Sequence, residues 1–161
     1  MPDLTSLAAS VGALLKAKQH TIAVSESSCG GLISAALVAV PGASAYYQGS
    51  TVVYTQTSRQ GLLDISEAEM TGMRASTEQY AMLTARKIHA RLGTTWALSE
   101  TGASGPTGNR YGDDAGHACF AVVGPIERSM TLETSGSDRE SNMWAFAARA
   151  LSFLEECIKA S

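Results

Sequence analysis

Short β-prone runs alternate with amphipathic helical stretches along this chain, and the alternation constrains its fold more than any other feature. Leu4, Leu7, Ala8, Val11, Leu14 and Leu15 recur at helical spacing. Lys16, Lys18 and His20 then place positive charge where a helix C-terminus favours it. Residues 21–24 read as a strand, 25–31 as a tight loop of small residues, and 32–40 as a helix. A strand is expected over 45–54 and a short helix over 57–63, whereas 66–77 fits one helical turn and a loop. Residues 77–92 carry Ala81, Ala85, Ile88 and Leu92 on one helical face, and Gly93 stops that helix as a C′ glycine. A strand over 94–99, a glycine-rich loop from 101 to 116, a strand pair at 117–123 and 129–134, and a helix over 141–158 complete the series. The pattern predicts an α/β fold: a single-domain three-layer α/β/α sandwich over residues 1–161, with a mixed, mostly parallel sheet and one antiparallel pair near its end.

Composition agrees with one packed unit and removes several functional classes. A length of 161 residues suits one domain, and 45% apolar residues supply a core. Twelve basic against fifteen acidic side chains leave a net charge of −3, without the basic excess of duplex-binding domains. Cys29, Cys119 and Cys157 are too few and too scattered for a disulfide scaffold and read as small buried hydrophobes in a reducing compartment. Residues 27–58 carry no charge, yet their apolar run stops at Pro41, short of the ~20 residues a bilayer demands. This third of the chain is therefore expected to lie against the core and a binding site. With no basic-then-apolar leader at its start, the chain is expected to be cytoplasmic, with no nucleic-acid and no membrane partner.

Two glycine-rich loops, 25–31 and 101–108, each follow a strand. In open α/β sheets ligands bind beyond the carboxyl ends of strands, so both loops should reach one crevice. Neither is a phosphate-binding P-loop or a dinucleotide fingerprint, and either loop alone also fits a purely structural turn. The first loop is rich in hydroxyls: Ser25, Ser27 and Ser28, next to Glu26 and Cys29. A serine there is a helix cap unless a base and an oxyanion hole stand within reach. His20 and His89 belong to helices, while His117 opens a strand and borders the expected crevice. His117 and Cys119 alone are too few ligands for zinc.

Five blocks, in order, carry a family resemblance. Val24-Ser-Glu-Ser-Ser-Cys-Gly-Gly-Leu-Ile resembles the pattern A-E-S-C-T-G-G, and Val40-Pro-Gly-Ala-Ser-Ala-Tyr-Tyr-Gln-Gly is similar to the block that follows it. Val53-Tyr54-Thr-Gln-Thr-Ser-Arg59 resembles Y-S-N-x-x-K, Ser99-Glu-Thr-Gly-Ala-Ser-Gly-Pro resembles S-x-S-G-I-A-G-P, and Gly136-Ser-Asp138-Arg139 resembles a late G-D-R. The family is the CinA C-terminal domain, whose stand-alone members are nicotinamide-nucleotide amidases. The resemblance implies hydrolysis of the carboxamide of nicotinamide mononucleotide, with no metal or organic cofactor, by a homodimer. It implies Ser27 as nucleophile and Tyr54 as its neighbour. It also implies an anion cradle of amides from Ser28, Cys29, Gly30 and Gly31, an opposite wall at Gly102 and Gly105, and Arg139 at the phosphate.

The family's lysine base aligns with Arg59, and a further arginine position four residues after Arg139 holds Met143. Arginine stays protonated, so Arg59 cannot accept the Ser27 proton. Lys16, Lys18, Lys87 and Lys159 fall in none of the motifs. Three readings stand at this point: an amidase with Tyr54 as base, its phenol acidified by Arg59; a non-catalytic protein binding a nucleotide or similar anion; or an amidohydrolase for another amide.

Overall fold

The computed structural model describes residues 1–161. Helix α1 (Leu4–Lys18) starts where the Asp3 carboxylate accepts the Ser6 amide, and it ends at Gln19 in the left-handed conformation. Strand β1 (Ile22–Glu26) leads through the serine loop to α2 (Leu32–Val38). A single 3₁₀ turn (Ala43–Ala45) precedes β2 (Tyr47–Val52). Helix α3 (Gln56–Leu63) opens on a reciprocal cap between Thr55 and Ser58. The segment after it forms turns up to α4 (Glu78–Leu92), which Thr77 caps and Gly93 terminates at φ 62°. Strands β3 (Trp96–Ala103), β4 (His117–Val123) and β5 (Arg128–Glu133) are followed by the long α5 (Arg139–Lys159).

The sheet order is β2-β1-β3-β4-β5. β1 runs parallel to both β2 and β3, while β4 is antiparallel to both β3 and β5. Only β4 thus opposes the common strand direction, and the sheet is mixed. All five residues of β1 are buried because helices cover both faces of that central strand.

Alternation along the strands divides the core in two. Ile22, Val24, Trp96, Leu98, Phe120 and Val122 pack with α1, α2 and α5, whose Val11, Leu15, Ile33, Phe146 and Leu154 are buried there. The opposite face presents Ala23, Ala97, Cys119 and Ala121 to Tyr80, Ala81, Ala85 and Ile88 of α4. Small residues on that face let α4 approach the sheet closely, and the bulky side chains go to the other side. Fully burying one such side chain contributes roughly 1.5–3 kcal/mol.

Two strand ends depart from the sequence expectation, and β1 takes in Ser25 and Glu26, both expected in the first loop. β3 continues through Thr101, Gly102 and Ala103, all expected in a loop, because Gly102 pairs with Ala118 and Ala103 with His117. A Cβ at Gly102 would lie 2.5 Å from the His117 carbonyl oxygen. The glycine thus serves close strand approach, and the second loop begins only at Ser104.

Candidate active site

The site grows from two buried carboxylates at the ends of adjacent strands. Ser25 of β1 pairs with Ser99 of β3, which brings Glu26 and Glu100 side by side. Glu26 is fully buried and accepts the amides of Gly31 (3.1 Å), Ile33 (3.0 Å) and Ser34 (2.9 Å), and the Ser34 hydroxyl (2.5 Å). It therefore caps α2 from the strand beneath. Burial pushes its carboxyl above the usual range, although the donors from Ser34 and Ile33 pull the other way.

Glu100 organises the other half of the loop. Its carboxylate accepts the Ser27 and Cys29 amides, each at 2.9 Å, and the Ser28 hydroxyl. Neither glutamate was given a role by the sequence. The available signal was an acidic residue at the end of each of two apolar strands, just before a loop of small residues. A buried carboxylate needs several donors, and loop amides supply them.

These bonds decide what the loop can offer. The amides of Ser27, Cys29, Gly30 and Gly31 all have protein acceptors, the Gly30 amide donating to the Ser27 carbonyl at 3.1 Å. The Ser28 amide alone in this loop has no protein acceptor. Cys29 is fully buried with its thiol against the Met143 carbonyl, and it packs in the core. Gly30 and Gly31, at φ 63° and 108°, shape the turn into α2. None of these three residues lines a cavity.

Two cavities do form, meeting at Tyr54. The first, about 280 Å³, is lined by Ser27, Tyr54, Arg59, Tyr80, Arg110 and Tyr111, among others. The second, about 230 Å³, takes in Ser28, Tyr54, Gly102, Ser104, Gly105 and Arg139. Both glycine-rich loops thus reach one site. Tyr54 is 60% exposed, and its hydroxyl accepts from Arg139 Nη2 at 2.8 Å. Arg139 Nη1 donates to the Gly105 carbonyl at 2.5 Å.

Arg59 lines the first cavity with Ser27 and Tyr54, as the sequence reading supposed, but it is turned towards Tyr80. Its guanidinium sits 5.8 Å from the ring centroid of Tyr80, a buried side chain, and it makes no hydrogen bond to Tyr54. Burial pushes the Tyr80 phenol upward, against the pull of the Arg59 charge. No lysine lines either cavity. Lys87 and Lys159 pair with Glu69 and Glu155, and Lys16 donates to the Pro41 carbonyl. Tyr80, Arg110 and Tyr111 escaped the sequence reading because the chain separates them widely from the serine loop.

The loop after β3 is tied down through Asp113. Arg74 grips this carboxylate at 2.7 and 3.1 Å, and Asn109 Nδ2 donates to it at 2.7 Å, which holds the group's pKa down. His117 lies outside both cavities. Its Nδ1 meets the Glu133 carboxylate, and its Nε2 lies 2.8 Å from the Ser76 carbonyl. Both partners accept hydrogen bonds, a setting that favours the protonated ring. Burial opposes that charge, but Glu133, Ser76 and Asp113 outweigh it and raise the pKa.

A histidine with a raised folded-state pKa contributes its full stabilisation below the unfolded value, about pH 6.5, and loses it as pH climbs through the folded value. The gap in urea midpoint between wild type and His117→Gln is therefore expected to shrink as pH rises from about 6.5 into the alkaline range. A gap that stays constant across this window would show that the ring's charge does not contribute.

The relatives of the chain agree with this architecture. Residues 4–158 match the family model of the CinA C-terminal domain. A CinA-like protein of Salinibacter ruber is 36% identical over 149 residues, covering 92% of this chain and 36% of the relative. One from Gloeobacter violaceus is 38% identical over 137 residues, covering 85% and 32%. The chain thus spans about a third of the length of the curated relatives it matches. Among solved structures, a competence-damaged protein (CinA) superfamily protein from Klebsiella pneumoniae superposes with a TM-score of 0.93 at 22% identity, covering 99% of this chain and 100% of that one. The competence/damage inducible protein CihA of Agrobacterium tumefaciens gives 0.89 at 23% identity, covering 99% and 97%. At such identities the superpositions speak for the fold alone. No helix is long and apolar enough to cross a membrane. The match across nearly the whole length, with the serine loop and its facing glycine wall in one site, makes this chain a member of the CinA C-terminal domain family.

Proposed function

We propose that this domain hydrolyses the carboxamide of nicotinamide mononucleotide to nicotinate mononucleotide and ammonia, with Ser27 as nucleophile. The observation that carries this reading is that Ser27 and Tyr54 line one cavity while Tyr54, Gly105 and Arg139 line the next. The amide end of a mononucleotide fits the first cavity and its phosphate the second, where Arg139 is a donor. Ser27 Oγ attacks the carbonyl carbon, and its proton passes to Tyr54. The free Ser28 amide and the Arg59 guanidinium receive the oxyanion. The same proton leaves with ammonia, and water then cleaves the Ser27 ester. The chain's own side chains and backbone, with water, supply every group, so the reading calls for no metal or cofactor.

Replacing an efficient general base typically costs about 10²–10⁴ in rate, so the wild-type reaction is slow. Ammonia release from nicotinamide mononucleotide by wild type, absent in Ser27→Ala, is the expected result. Equal release by both proteins would remove Ser27 from the chemistry.

A second reading, binding without turnover, is favoured by Arg59 standing where the base belongs. Calorimetric binding of the mononucleotide with no Ser27-dependent ammonia at any pH would select it.

A further inference from the structure

We propose that the cavity beside Ser27 selects a carboxylate over a carboxamide, so that the ligand held most tightly is the acid form of the pyridine mononucleotide, gripped by Arg59. The inference rests on the reading that the site accepts such a mononucleotide.

Three observations meet at Arg59. Only two buried side-chain polar atoms in the protein lack a hydrogen-bond partner: Arg59 Nε and Ser104 Oγ. Their residues line the first and the second cavity. Native structures leave few such groups, and those that remain need an explanation. Second, Arg59 forms no ion pair, whereas Arg74, Arg86 and Arg149 pair with Asp113, Glu127 and Glu156. Third, no Asp or Glu lines either cavity, while Arg59 and Arg110 line the first and Arg139 the second. The lining therefore presents three guanidinium groups and no acid, the neighbouring carboxylate, Glu100, being buried behind the serine loop and held by its donors.

The chemistry of the donors decides between acid and amide. A guanidinium only donates, and its planar fork matches the two oxygens of a carboxylate. Such charge-assisted bonds are roughly twice as strong as neutral ones. A carboxamide has one acceptor oxygen and one NH₂ end, which also only donates. Facing Arg59 and Arg110, that end meets donors. The tetrahedral oxyanion and the acid product share the negative oxygen that the amide lacks. The same arginine that assists attack thus retains the product. A lysine acting as a neutral base would not do this. Hydrogen bonds to charged groups contribute about 1.5–3 kcal/mol, which corresponds to a preference of about 10- to 100-fold for the acid.

The test is isothermal calorimetry of nicotinate mononucleotide and nicotinamide mononucleotide with wild type, Arg59→Gln and Arg59→Lys, alongside the ammonia assay. The expected result is at least about tenfold tighter binding of the acid by wild type, lost in Arg59→Gln and partly kept in Arg59→Lys. Should Arg59→Gln fail to fold, Arg59→Lys alone reads the loss of the fork. Equal or tighter binding of the amide by wild type would overturn the inference, as would an acid preference unchanged in the Arg59 variants or no binding of either ligand. Ser27-dependent ammonia release without acid preference sinks this inference and leaves the amidase reading standing. Acid preference without ammonia release does the reverse.

Discussion

Arg59→Lys is expected to release ammonia from nicotinamide mononucleotide about 10²-fold faster than wild type, and only while Ser27 is present. Residue 59 lines the same cavity as Ser27, on a helix whose cap at Thr55 and Ser58 does not involve its side chain. Arginine is not deprotonated in proteins, so a guanidinium at this position cannot serve as base. A lysine amine in the same place is partly desolvated and faces the Arg110 charge, and both influences lower its pKa. The neutral fraction can then take the Ser27 proton directly. Initial rates for wild type, Ser27→Ala, Arg59→Lys and the double variant measure the effect. The double variant should sit at the Ser27→Ala baseline. An Arg59→Lys rate no greater than wild type would mean that the site lacks more than a base.

Removing the Glu100 carboxylate should destabilise the fold and the serine loop together. Glu100 is 2% exposed and holds the Ser27 amide, the Cys29 amide and the Ser28 hydroxyl. Glu100→Ala leaves three donors without their acceptor, at about 1–3 kcal/mol for each one that stays buried. A total loss of about 3–5 kcal/mol is expected in chemical denaturation, together with loss of Ser27-dependent turnover. Glu100→Gln keeps the volume and one acceptor oxygen, but its NH₂ end faces donors. It should fall between wild type and Glu100→Ala. Should Glu100→Ala stay within about 1 kcal/mol of wild type, the loop does not depend on this carboxylate for its shape.

The contrast between the two predictions shows where local sequence informs and where it does not. Helix α4 was legible from Ala81, Ala85 and Ile88 and from Gly93, because periodicity and a left-handed C-cap act within a few residues. The turns after α3 were ambiguous for the same reason: no sustained period marks them. The end of β3 was misjudged because Gly102 reads as a loop residue in isolation. Its role comes from β4, which passes so close that a Cβ there would meet the His117 carbonyl oxygen at 2.5 Å. The hydrogen bonds of the serine loop were invisible for a similar reason. Glu100 lies 73 residues from Ser27, and no local spacing announces the contact.

By itself the sequence determined the α/β class, the order of the elements, the two loops that form the site, and the arginine at position 59. Each of these follows from periodicity, capping or residue identity, which are properties of short stretches of chain. Only the tertiary structure decided how those parts are used. It turned two strand-end glutamates into the scaffold of the serine loop and so consumed most of the amides expected to hold an anion. It laid Arg59 against Tyr80 and tied Tyr54 to Arg139. The physical reason is that a buried carboxylate must collect donors wherever the packed sheet provides them, and those donors come from residues far apart in the chain.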